Sequence, residues 1–239
     1  VNSPNNFGKL GDRPSHPELL DWLAVRFMED GWSIKNLNRL ILKSSVYQLA
    51  SLHPDEHSAS LIDPQNRLLW KSNLQRLEAE QIRDAILAVS GQLDLTIGGK
   101  TLPLRNRQFV FNHTSEDHTE YDSLRRAIYL PVIRNNLYSF FTQFDYPDPT
   151  MPTGIRNETV IAPQNLVLMN DELVMNAAES MARQVVANSM DDAKCVELAF
   201  RRALGRDPMT HELQLALQFL DDVMHSSDGR SLDRHAAWS

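Results

Sequence analysis

The chain has 239 residues, 42% of them hydrophobic, enough for one large domain or two small lobes around a real core. A formal net charge of -7 excludes a general electrostatic grip on nucleic acid or anionic lipid, and the densest local charge, Glu116, Asp117, Glu120 and Asp122, is acidic. A single cysteine, Cys195, excludes an internal disulfide and any Cys-x-x-Cys haem or metal signature, and no run of 18 apolar residues offers a membrane span.

The opening Val1-Asn2-Ser3-Pro4 lacks the basic and apolar regions of a signal peptide, and Arg234 to Ser239 reads as a helix just begun. The chain is therefore expected to start and stop inside a larger protein. Ser15-His16-Pro17-Glu18 has the capping-box pattern, followed by Leu19, Leu20, Leu23, Ala24 and Phe27 at helical spacing up to Gly31. Ser33 caps a second helix carrying Ile34, Leu37, Ile41 and Tyr47, which completes an αα-hairpin. His53 to Asp63 is polar and reads as an exposed loop. A third helix runs from Leu77 to Val89, with Gly91 past its end.

Leu102 to Leu104, Phe109 to Phe111 and Arg126 to Val132 are short β-branched or aromatic runs that predict a small β-sheet or hairpin, with Pro131 placing the last run at an edge. Phe140, Phe141 and Phe144 fall at helical spacing, which favours core packing over stacking on sugars. The segment holding Pro147, Pro149, Pro152 and Pro163 cannot be one continuous helix. Beyond it come a helix on Leu173, Ala177, Met181 and Val185, and another on Val196, Ala199, Phe200 and Ala203 ending at Gly205. A last helix, capped by Thr210, carries Leu213, Leu217 and Leu220. The prediction is a mainly α fold of helical hairpins in two packed lobes, residues 1–92 and 136–239, with residues 93–135 as a β-containing insert. Cys195, among Val196, Leu198 and Ala199, reads as a buried, inert thiol.

The best candidate site is the polar series Asp145, Asp148, Arg156, Thr159, Gln164 and Asn170, threaded through and beyond the proline-rich loop, with Arg134 as a further cationic partner. Two carboxylates three residues apart suit acid and base roles or a hard cation. Equally, a loop without a hydrogen-bonded ladder needs side chains to satisfy its backbone, and Arg156 would pair with a carboxylate to hold it. Spacing alone leaves both open. Glu78, Glu80, Arg83 and Asp84 offer a charge network along one helix, with Glu80, Arg83 and Asp84 on one face. His53 and His57 have the spacing of a helical metal pair, but Pro54 places them in a loop, and His113 and His118 form a second loose group. No metal site and no cofactor are expected in this chain. The sequence contains no nucleophile elbow, phosphate loop, dinucleotide fingerprint or zinc protease motif.

Several ordered blocks carry a family likeness. They include Asn5-Asn6-Phe7-Gly8, Pro14-Ser15-His16-Pro17-Glu18-Leu19-Leu20-Asp21-Trp22, Gly31-Trp32-Ser33, and Arg76-Leu77-Glu78-Ala79-Glu80 with Ile82-Arg83-Asp84-Ala85. Others are Arg125-Arg126-Ala127-Ile128-Tyr129-Leu130-Pro131-Val132, Arg134-Asn135, Phe144-Asp145-Tyr146-Pro147-Asp148, Gln164-Asn165-Leu166 and Leu204-Gly205-Arg206-Asp207-Pro208. Together they resemble the planctomycete-type secreted-protein module known as domain of unknown function 1553, over nearly the whole chain. The resemblance implies export to the periplasm or cell surface. It also implies a place near the C-terminal end of a large multidomain protein, behind another domain and often a c-type cytochrome domain. It implies no particular reaction, and the haem motif of such proteins belongs to a neighbour. The chain departs from the family in lacking the final helix beyond Trp238.

The expected function is a non-catalytic interaction or scaffolding module that partners its neighbouring domains. The alternative is a polysaccharide-binding or polysaccharide-degrading domain using the loop carboxylates. Docking of a cytochrome domain is a third reading, resting on the family's domain neighbours alone.

Overall fold

The computed structural model describes residues 3–6, 8–102, 120–134, 136–225 and 237–238. The described chain is mainly helical and divides into two compact units, one of residues 1–76 with 153–155 and one of residues 77–152 with 156–239.

The first unit contains α1 (Pro17–Glu29), α2 (Ile34–Leu42) and α3 (Glu56–Ile62). Helix α1 starts with Pro17, whose fixed φ suits a first helical position. His16 occupies the cap, so the expected Ser15 capping box does not form, and the Ser15 hydroxyl lies 2.9 Å from His16 Nδ1 instead. Ser33 caps α2 as its sequence predicts, accepting from the Asn36 N–H at 3.3 Å, and α1 packs on α2 as a hairpin. Tyr47 lies beyond the end of α2, because the helix closes at Leu42 and the Ser44 hydroxyl bonds the Ile41 carbonyl. The polar stretch read as a loop folds as α3. Asp55 caps it through the Ser58 N–H, so polarity there marks a solvated helix rather than a connection.

The second unit contains α4 (Ala79–Val89), α5 (Ser139–Gln143), α6 (Ala162–Asn170), α7 (Glu172–Asn188), α8 (Asp192–Leu204) and α9 (Thr210–Met224). Helix α4 is central: it packs on α5, on α7 and on a 3₁₀ turn at Ala127–Tyr129, while α7, α8 and α9 stack in order. The core is Ala79, Ala127, Leu130, Phe140, Phe141 and Phe144, so the aromatic triplet does pack inward, and Phe140 is 1% exposed. Cys195 is also buried. Gly91 adopts φ 72° and brings its backbone against α7, where a Cβ would meet Gln184 Nε2 at 2.8 Å. Helix α9 is closed by Glu212 accepting from the Met209 N–H at 2.7 Å, rather than by the expected Thr210 cap.

The β-containing insert is not found among the described residues. The described residues contain one isolated parallel bridge, Asp94 to Arg125, and Arg126–Val132 forms the 3₁₀ turn with extended flanks. The Ala127 N–H, which a ladder would use, goes to the Asp84 carboxylate at 2.8 Å, and Pro131 has no N–H to give. Phe109 to Phe111, and Leu102 to Leu104 beyond Leu102 itself, lie outside the described residues.

Candidate functional site

Helix α5 ends at buried Phe144, after which Asp145 turns the chain with φ 58°, a left-handed conformation that aspartate tolerates better than most residues. This turn aims the Asp145 carboxylate at residue 159. It accepts the Thr159 N–H at 2.7 Å and the Thr159 hydroxyl at 2.9 Å. Gln164, 1% exposed at the start of α6, completes the clamp. Its Nε2 donates to the Gln143 carbonyl at 2.9 Å, and its Oε1 accepts the Ile161 N–H at 3.3 Å. The proline-rich excursion is thus stapled at its base by side chains, in a stretch where no ladder satisfies the backbone.

The remaining candidates are also engaged. Asp148 accepts the Thr150 N–H at 2.8 Å and its hydroxyl at 2.7 Å, and these bonds hold its carboxyl below the usual aspartate range. Arg156 makes a two-pronged pair with Glu80 at 2.7 and 3.0 Å, approaches Glu78 at 3.3 Å and lies 5.5 Å from the Tyr146 ring centre. The bonds to Glu80 raise the guanidinium further above its ordinary value. Asn170 donates to the Leu166 carbonyl at 2.8 Å within its own helix. Arg134 makes no ion pair or hydrogen bond with any described residue, and it lies outside the cleft described next.

That cleft, about 640 Å³, runs along α4. Its polar rim includes Glu78, Glu80 and Asp84, and its aromatic wall includes Tyr121, Tyr138 and Tyr146. The sequence marks the acids, and the expected Arg83–Asp84 contact forms at 3.4 Å, but Glu80 finds a different partner. Glu80 reaches Arg156 across 76 positions rather than Arg83 on its own helix. Arg83 turns inward, fully buried, and donates to the Arg125 carbonyl at 2.8 Å and to the Ser123 carbonyl. The buried arginine thereby fastens residues 123–127 to α4, with Asp84 taking the Ala127 N–H beside it. Its one signal in the sequence is position: Arg83 falls on the same helical face as Ala79 and Leu87, both of which are buried.

The rings of the wall pack mainly on one another. Tyr121 stacks on Tyr138 at 5.0 Å, and Tyr146 on Phe141 at 5.2 Å with the Arg156 guanidinium also near it. Burial raises the phenol pKa of Tyr138 and Tyr146, so both stay protonated. Chemically the arrangement is a rigid, ion-paired frame around a partly apolar cleft. Among the described residues no group of three histidine, cysteine or acidic side chains is placed to hold a metal ion.

No helix among the described residues is long and apolar enough to cross a membrane. Comparison with curated proteins finds no match, and neither does comparison with solved structures. The family described as PSD1, protein of unknown function (DUF1553), matches residues 1–220. With that much of its length matched, the chain belongs to the DUF1553 family.

Proposed function

We propose that this chain is a non-catalytic interaction module that docks on a neighbouring domain of an exported multidomain protein through its N-terminal helical hairpin. One observation carries the reading: although α1 and α2 pack on each other, they leave much of their apolar surface exposed. Trp22 is 53%, Trp32 65% and Ile34 68% exposed, and neither helix has a buried residue. Single exposed apolar residues are ordinary, whereas a run of them rich in tryptophan marks a surface that another protein covers. The export and the neighbouring domain, a c-type cytochrome domain among the options, come from the family likeness.

Polysaccharide binding through the loop carboxylates has less behind it. Asp145 and Asp148 already accept bonds from Thr159 and Thr150. The tyrosine faces that would stack on a sugar already meet other rings.

Tryptophan fluorescence of the 239-residue chain, alone and with the preceding domains of its parent protein added, tests the docking. The expected result is a blue shift and protection from quenching on mixing, both lost in the Trp22→Ala, Trp32→Ala double variant. No shift with any neighbouring domain, or a shift that survives the double substitution, overturns it.

A further inference from the structure

The first unit holds a second, smaller cavity of about 250 Å³, bordered by Arg13, Ser15, Gln65, Asn66, Arg67 and Asn73, with Leu69 as its apolar member. Arg13 and Arg67 both line this space, and no acidic residue among those described does. Neither Arg13 nor Arg67 makes an ion pair or hydrogen bond with any described residue, although acidic residues outnumber basic ones 31 to 24 in the chain. The nearest acids in sequence do not neutralise them. Asp12 lies outside the lining, and the buried Asp63 accepts the Leu68 N–H at 2.7 Å.

The loop that carries Arg67 is built to stay in place. Asn66 and Leu69 adopt φ 51° and 59°, a conformation that is unusual for leucine. It is held by the buried Asn66 amide, whose Oδ1 accepts from the Trp70 and Lys71 N–H groups and whose Nδ2 donates to the Lys71 carbonyl and Asn73 Oδ1. These bonds use the full capacity of the Asn66 side chain, which makes it scaffold rather than ligand. Trp70 Nε1 adds a bond to the Asp63 carbonyl at 2.9 Å. Because Asn73 Oδ1 accepts from Asn66, its own NH₂ is left as a donor beside the two arginines. A backbone strained at two positions and fixed by a fully satisfied buried amide is a preorganised mount.

We infer that this cavity binds a tetrahedral oxyanion, phosphate or sulfate, either as the free ion or as the terminal ester of a larger molecule. Arg13 and Arg67 supply the charge, and Asn73 and Gln65 supply neutral donors. Guanidinium forks match such oxygens two at a time, and two of them without an acid nearby favour a dianion. At about 30 Å³ of liquid volume per water, the space corresponds to roughly eight waters, room for a five-atom anion with part of its hydration shell.

Isothermal titration of the full 239-residue chain with sodium phosphate, sodium sulfate, a sugar monosulfate and sodium chloride, at matched ionic strength, tests the site. Saturable binding of phosphate or sulfate but not chloride is expected, weakened roughly ten- to a hundredfold by Arg13→Gln or Arg67→Gln and abolished by the pair. Both arginines are exposed, so circular dichroism and Tm of the variants should match the parent, which separates lost binding from lost folding. A sugar monosulfate that binds as well as sulfate supports an ester ligand, and its rejection while sulfate binds supports the free ion. Equal heats with chloride, or binding that survives in the double variant, overturn the inference.

Discussion

Among the described residues of the first unit the buried positions are Asp63 and Asn66, while Trp22, Trp32 and Ile34 face solvent. In the second, Phe140, Phe144, Leu87 and Val185 are buried, and the charges meet in pairs along α4. The second unit is held as most domains are, by apolar area removed from water. The first has no buried apolar side chain among its described residues, and hydrogen bonds around one amide, helix caps and the α1–α2 contact hold it. What the comparison teaches is that burial is unevenly shared: one unit has an apolar core, and the other leaves its large apolar side chains exposed.

The largest expected difference sets the two centres against each other. Phe140→Ala should destabilise the second unit by about 3–5 kcal/mol. Trp22→Ala, at a half-exposed site, should cost about 0.5 kcal/mol. Urea unfolding followed by circular dichroism reads both, and equal costs would mean that the first unit has an apolar core of its own. Next comes Asn66→Ala, which strips the bonds that hold Trp70 and Lys71 and should cost about 2–3 kcal/mol. Trp22, Trp32 and Trp70 belong to the first unit and Trp238 to the second, so a fluorescence midpoint that falls ahead of the circular dichroism midpoint would locate the damage.

A smaller loss is expected for Glu80→Gln. The pair with Arg156 is about a quarter to a third exposed, so its contribution is discounted to about 1 kcal/mol. The loss should shrink in 0.5 M salt, and a salt-independent loss would assign the effect to packing. The smallest effect concerns Glu212, whose carboxyl the Arg206 fork and the Met209 N–H hold down to about 2. Since its folded value lies below its unfolded one, it stabilises α9 fully above pH 4.5, and that contribution disappears as pH falls from 4.5 through about 2. Glu212→Gln should flatten the stability profile in that window, and an unchanged profile would place the acid sensitivity elsewhere.

The helices of the second unit were legible because burial imposes period: Leu173, Ala177, Met181 and Val185 in α7, and Val196, Ala199 and Phe200 in α8, fall on one face of their helix. The same rule misread α3, whose solvated surface shows no apolar stripe, and Arg126–Val132, where β-branched and aromatic residues fold as a turn against α4. Strand propensity reflects a fit to neighbouring strands, and here α4 takes their place. The polar loop residues were all marked in advance, but their partners were not. Asp145 with Thr159 and Glu80 with Arg156 are separated by 14 and 76 positions, and no local spacing encodes such a pairing.

By itself, the sequence determined the helical class, the inward aromatic triplet of α5 and its cap Phe144, the buried cysteine and the family, because each rests on local periodicity or on ordered blocks of residues. The tertiary structure alone decided that the loop carboxylates are occupied, that Arg83 is an internal fastener, and that two arginines with no ion pair to a described residue share a cavity. The physical reason is that a hydrogen bond or ion pair is decided by where the folded backbone delivers each group, and that delivery is a property of the whole chain.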